Sequence, residues 1–557
     1  MNLNRRTWLK LAPALSLVIR AQNAAQPESP PQKITKEMLE QALQLTGLSF
    51  TEPQIAMMLT GVNARLERYD LLRSLDIPLD TEPAFHFRPL LPGKKAPAGA
   101  ARFVPTVPPS VPRWKSLDEV AFLSTTQLAT LVRSRRVTPT DLTKMYLERL
   151  KTYAPKLNCV ITLTEDLALE QAANATREIR AGRYRGALHV IPYGAKDLFS
   201  TKDIRTTWGA EPFQEQIPDH DAAVIERLQK AGAVLVAKLS MGALAQGGLW
   251  FGGMTKTPWD YEQTSSGSSA GSGSATAAGL VGFSIGTETL GSIVSPCTRC
   301  GVAGVRPTYG RVSRFGAMGL SWTMDKIGPI CRSVEDCATV LRAIAGADGR
   351  DITVVDAPVH WEPVLSIRRL RIGYLQDEFD NLEKEPKAMY DEALGVFREL
   401  GVKLQPVKLP DFPLAAIRTV LTAEAATAFD DITRNGGVDQ LNGQSPDDWP
   451  NTFRTARTMT AVEYIRAQRA RTLLMQAMDK FMDDWDVLVS LPFSASLTLT
   501  NLTGHPQVVV PCGFNDKGLP QSLLFTGHLY EEGTPMRVAH HFERATKWHT
   551  MHPALQT

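Results

Sequence analysis

Thr264-Ser-Ser-Gly-Ser-Ser-Ala-Gly-Ser-Gly-Ser-Ala-Thr-Ala-Ala-Gly279 runs without a break into Leu280-Val-Gly-Phe-Ser-Ile-Gly-Thr-Glu-Thr-Leu-Gly-Ser-Ile-Val294. Small residues at this density suit a loop threaded through a tight interior and running into a closely packed helix. A flexible linker would have the same composition. The continuation separates the two readings, because Leu280 to Ile285 is an apolar run of strand length and the residues after it read as a turn. A linker has no reason to lead straight into a buried strand. Nor is this a nucleotide-phosphate loop, since no Gly-Lys-Ser/Thr closes it.

Working outward, a helix–strand alternation begins near residue 116. Asp221 to Ala231 reads as a helix leading into the apolar run Ala233-Val-Leu-Val-Ala237. Arg371 to Leu375, Val487 to Leu491 and Val508 to Val510 are further strand candidates. Ser333, with Asp336 three places on, is placed to cap a helix that runs to about 346. Short apolar strands between amphipathic helices predict an α/β core with helices on both sheet faces. Before this core, residues 34 to 80 read as helical, with Met38, Leu39, Ala42 and Leu43 on one apolar face. Pro92 to Pro112 is proline-dense, which predicts an extended linker or wrapping arm. The expected organisation is an export segment over 1–25, a helical arm over 26–91, a Pro-rich linker over 92–115 and a catalytic domain over 116–557.

The N-terminus carries Arg5-Arg6-Thr7-Trp8-Leu9-Lys10, then the apolar Leu11 to Ile19, then Ala21-Gln-Asn-Ala-Ala25. A charged start, a short apolar run and small residues read as an export signal of twin-arginine type, which predicts a periplasmic or secreted protein. A basic tail is the plainer alternative. The apolar run is about half the ~20 residues needed to span a bilayer, so it makes no stable membrane anchor. With 61 Lys+Arg against 58 Asp+Glu and no basic stripe, nothing points to nucleic acid. Six cysteines leave open both disulfides and buried free thiols. Cys297-Thr-Arg-Cys300 has metal spacing but lacks a second ligand pair, so no metal or other cofactor is expected.

The serine-glycine loop followed by Gly286-Thr-Glu-Thr-Leu-Gly-Ser292 resembles the amidase signature family. The similarity continues through Cys300-Gly-Val-Ala-Gly-Val-Arg-Pro-Thr-Tyr-Gly-Arg-Val-Ser313 and Asp325-Lys-Ile-Gly-Pro329. Upstream it includes Pro192-Tyr-Gly-Ala-Lys-Asp197, and downstream Asn501-Leu-Thr-Gly-His-Pro506 with Val-Pro-Cys-Gly513. The resemblance implies an α/β/α fold with a large mixed sheet and a Ser–cis-Ser–Lys triad. Position by position, the nucleophile falls on Ser292, the bridging serine on Ser268 after a cis Gly267–Ser268 bond, and the base on Lys196. Oxyanion donors fall on the backbone N–H groups of Thr289, Leu290, Gly291 and Ser292.

These residue types suit the chemistry. A serine hydroxyl attacks only when a neighbouring base takes its proton. Lys196 must be neutral to do so, and burial lowers a lysine pKa. Three departures stand out: Leu290 replaces a glycine, Glu288 an aspartate, and Val294 an arginine carried by many members. Leucine resists positive φ and adds bulk beside the site. Ser265, Ser266, Ser269 and Ser272 are read as backbone-bonding serines, and His505 as a residue that shapes the site. The implied function is hydrolysis of a small-molecule carboxylic amide, with a homo-oligomer left open. The alternatives are the glutaminase subunit of a tRNA amidotransferase and a non-catalytic protein of the same fold. Residues 34–91 also faintly resemble that amidotransferase's small third subunit, beside the plainer reading of a packing arm.

Overall fold

The computed structural model describes residues 33–45, positions 52, 55, 56, 59 and 63, and residues 87–107, 110–111, 113–457 and 459–556. The expected export segment, 1–25, lies outside the described residues. The chain divides into two compact units, Met1–Pro78 and Leu79–Thr557. In the first unit a helix spans Lys36–Leu45. Of the four residues expected on its apolar face only Leu39 is buried, and Met38 is half exposed.

An eleven-stranded mixed sheet organises the second unit. Its strands in chain order are β1 (Val160–Leu163), β2 (Pro192–Lys196), β3 (Val234–Leu239), β4 (Phe283–Glu288), β5 (Ala303–Arg306) and β6 (Lys326–Cys331). There follow β7 (Ile372–Leu375), β8 (Leu404–Val407), β9 (Val487–Ser490), β10 (Gln507–Phe514) and β11 (Pro520–Thr526). Across the sheet the order is β1-β3-β2-β4-β6-β5-β10-β11-β9-β7-β8. β2 runs parallel to both β3 and β4, whereas β6 is antiparallel to β4 and β5.

Every residue of β2, β3, β4, β5, β6 and β9 is buried. Strands covered on both faces lose polar–apolar alternation and read as unbroken apolar runs, which is how they showed in the sequence. The two edges are more open, and Pro406 sits in edge strand β8, where a missing N–H costs no ladder bond. Most expected strands and helices stand within a few residues of their predicted bounds. β10 runs to Phe514, four residues past its expected end, and β4 starts at Phe283, three residues after its expected start. Leu280 closes the preceding helix instead, its N–H donating to the Ala275 carbonyl at 2.9 Å. Ser333 caps the helix Val334–Ile344 by accepting from the Asp336 N–H.

Within the proline-rich stretch, Arg102 to Thr106 is fastened to the core. Arg102 and Val104 exchange backbone bonds with Trp361 at 2.8 Å each. The Thr106 N–H donates to Glu335 at 2.6 Å, and the Trp361 indole donates to the same carboxylate at 3.3 Å. All six cysteines are buried free thiols. Cys297 and Cys300 lie in the helix Val294–Cys300.

Glu335→Ala removes the acceptor that gathers these donors, leaving buried groups unpaired at about 1–3 kcal/mol. Limited trypsinolysis is expected to cut at Arg102 markedly faster in this variant. Unchanged cleavage would show that the backbone bonds alone hold the arm.

Candidate active site

β2 and β4 are neighbouring parallel strands, with Ala195 in register with Ile285. Their carboxyl ends therefore open side by side, the usual place for a site in such sheets. Lys196 is the last residue of β2, and the chain leaves β4 at Glu288 to make the turn Thr289–Ser292. Ser268 arrives from a third direction, just before the helix Ala270–Ala277. The Ser269 hydroxyl fastens that loop to β4, accepting from the Thr287 N–H at 3.2 Å and donating to the Thr287 carbonyl at 3.1 Å. The Ser269 N–H donates to the Ser292 carbonyl at 3.2 Å, so the two expected serines lie on adjoining backbones.

Lys196 is fully buried. Its Nζ donates to Ser268 Oγ at 2.8 Å and to Thr287 Oγ1 at 2.9 Å. Burial brings its pKa down to about 7, against the opposing pull of Asp325 and Glu288. The Gly267–Ser268 peptide bond is cis. A Cβ on Gly267 would lie 1.8 Å from the Gly247 carbonyl oxygen, so only glycine fits.

At the turn, the positive φ falls on Gly291 (+86°) and not on Leu290. The leucine therefore meets no backbone conflict, and it stands partly exposed. Among the described residues, no acceptor takes the N–H groups of Leu290, Gly291 and Ser292. Glu288 explains how the turn keeps them free. Its Oε2 accepts from the next two N–H groups, Ile293 at 2.9 Å and Val294 at 3.0 Å. Its Oε1 accepts from Arg306 Nη1 at 2.9 Å and Asn501 Nδ2 at 2.8 Å. Burial alone would raise this carboxyl, yet Arg306 and Lys326 hold it at about 2. Lys326 Nζ donates in turn to Asn501 Oδ1 at 2.7 Å. Thr289 donates to Asp325 at 2.5 Å.

Six of these residues, Thr287, Glu288, Arg306, Asp325, Lys326 and Asn501, were present in quoted motifs without a role. His505 is buried. Its ring bonds Thr503 at 2.8 Å, and burial takes its pKa down to about 3. Its contribution is a backbone carbonyl that accepts from Arg306 Nη2 at 2.7 Å. Two more of the expected serines bond backbone, Ser265 to the Thr255 carbonyl and Ser272 to that of Ile285.

The profile of the Amidase family matches residues 141–500. The chain belongs to the amidase signature family. A glutamyl-tRNA(Gln) amidotransferase subunit of Geotalea daltonii is 33% identical over 485 residues, covering 78% of this chain and all of that relative. The peptide amidase of Stenotrophomonas maltophilia superposes with a TM-score of 0.71 at 31% identity, covering 79% of this chain and all of that one. A bacterial aryl acylamidase shares the fold, with a TM-score of 0.70 at 22% identity over 77% of this chain and 97% of its own.

In this amidase, Arg306→Met strands a buried carboxylate and is expected to cost about 3–5 kcal/mol. The double variant Glu288→Gln/Arg306→Met removes both charges and should recover part of that loss, measured by denaturant midpoint. A double variant less stable than the single would show that the ion pair does not govern this region.

Proposed function

We propose that the protein is a serine amidohydrolase that cleaves a linear carboxylic amide to an acid and an amine or ammonia. The observation that carries this reading is the buried Lys196 Nζ, 2.8 Å from Ser268 Oγ, with its pKa brought down to about 7. A lysine neutral near physiological pH can accept a proton; an ordinary surface lysine cannot.

In the proposed cycle, Ser268 passes the proton of Ser292 to Lys196 as Ser292 Oγ attacks the amide carbon. The backbone N–H groups of Thr289 to Ser292 receive the developing oxyanion, each worth about 2.7–4 kcal/mol of barrier where such donors have been removed. Lys196 then returns the proton through Ser268 to the departing nitrogen, which must leave as a neutral amine. Water, activated by the same relay, attacks the acyl-enzyme and frees Ser292.

The 33% identity to a subunit of a glutamyl-tRNA(Gln) amidotransferase favours one second reading, a glutaminase that works with partner proteins. Glutamine-dependent ammonia release that rises when a cytosolic complex is purified intact would support it. The export reading of 1–25 belongs to the principal proposal and rests on Arg5-Arg6 and the apolar run after them. Recovery of a shortened chain from the periplasm would support it, and a full-length chain confined to the cytosol would sink it.

A fluorophosphonate probe is expected to label Ser292, and both Ser292→Ala and Lys196→Met should abolish that label. An adduct on a different serine would overturn the assignment. Because only neutral Lys196 accepts a proton, kcat/KM should rise tenfold per pH unit below about 7 and level off above it. A rate flat between pH 5 and 8 would exclude Lys196 as the base.

A further inference from the structure

A cleft adjoins the turn and reaches the site through Thr287 and Thr289. Its apolar walls come from Leu198, Phe315, Met318, Trp322 and Ile327.

The charged groups around it are already committed to protein partners. Arg314 bonds Asp351 through Nε at 3.2 Å, the Trp322 carbonyl at 2.7 Å and Thr353 Oγ1 at 3.1 Å. Arg350 pairs with Glu226 at 2.5 Å and Asp348 at 3.0 Å, with its guanidinium 4.0 Å over the Phe315 ring. Asp325 accepts from Thr289 at 2.5 Å and from the N–H groups of Leu320 at 2.8 Å and Ser321 at 3.0 Å. Asp351, almost wholly buried, also accepts from the backbone N–H groups of Arg314 and Thr353 at 2.9 Å each. The aromatic wall is held in place as well, since Tyr309 donates to the Trp322 carbonyl at 2.7 Å.

From this arrangement we propose that the cleft takes an uncharged, apolar group, an aromatic ring included, on the amide substrate and rejects an α-amino acid head. A zwitterion entering here would lose its hydration without gaining a counter-ion, because the wall charges are spent. A phenyl group would instead bury apolar surface against Phe315, Met318 and Trp322. This inference rests on the amidohydrolase reading above and narrows its substrate.

The test uses two primary amides that share a –CH2–CH2–CONH2 segment. One is 3-phenylpropanamide, the other L-glutamine, in which the amino acid head replaces the phenyl ring. Ammonia release by the full-length protein should give kcat/KM at least about 100-fold higher for 3-phenylpropanamide. Trp322→Ala should raise its KM by about tenfold while changing kcat less than threefold. Protection of Ser292 from the fluorophosphonate probe is read in parallel, so the order of binding is seen even if turnover is slow. Equal or better hydrolysis of glutamine, protection by glutamine alone, or protection by neither amide would overturn the inference while leaving a labelled Ser292 intact. An unlabelled Ser292 would instead overturn the amidohydrolase reading on which it rests.

Discussion

The carboxylate of Glu288 accepts four hydrogen bonds in a fully buried setting, and the turn at the site is built around it. A charge there is tolerable only because each oxygen has two donors and two cations stand close by. The arrangement spends the N–H groups of Ile293 and Val294 and leaves those immediately before them without a protein acceptor among the described residues. It also joins segments that enter from four directions: the end of β4, the start of β6 through Lys326, the end of β5 through Arg306, and the helix bearing Asn501. The shape of the turn is thus a property of the whole central sheet and does not reside in the turn sequence alone.

Two sequence departures take on a physical meaning in this setting. Glu288 has the reach to bond N–H groups five and six residues ahead and to meet Arg306 at the same time. Val294 lies buried beneath that turn while its N–H is held by Glu288. An arginine at position 294 would bury a further positive charge beside a carboxylate that Arg306 already pairs. Leu290 is accommodated because the left-handed conformation passes to Gly291.

Much of this was legible beforehand because buried strands read as apolar runs and because Lys196, Ser268 and Ser292 sit in motifs of fixed order. The geometry linking them was not. Arg306 reaches Glu288 from 18 residues away and Asn501 from 213, and nothing local in either segment announces the meeting. Asp325 becomes relevant only because β6 pairs antiparallel with β4, bringing Lys326 opposite Glu288. The start of β4 was misplaced because Leu280 and Val281 are as apolar as the strand itself. Only the bond closing the preceding helix distinguishes them. Periodicity reports burial, not which backbone partner an amide finds.

The six cysteines carry a different consequence. In the folded chain burial suppresses their thiolates, lifting Cys159 and Cys300 to about 12 and the others upward as well. Thiols without thiolate character resist both oxidants and disulfide exchange. The unfolded chain has no such shelter, since there each cysteine regains its ordinary acidity and free access to the others. Six sulfurs admit 15 complete pairings, and none of them corresponds to the native arrangement of free thiols. Resistance to oxidation is therefore conferred by folding itself. The vulnerable interval in this protein's life is the one between synthesis and closure of the core.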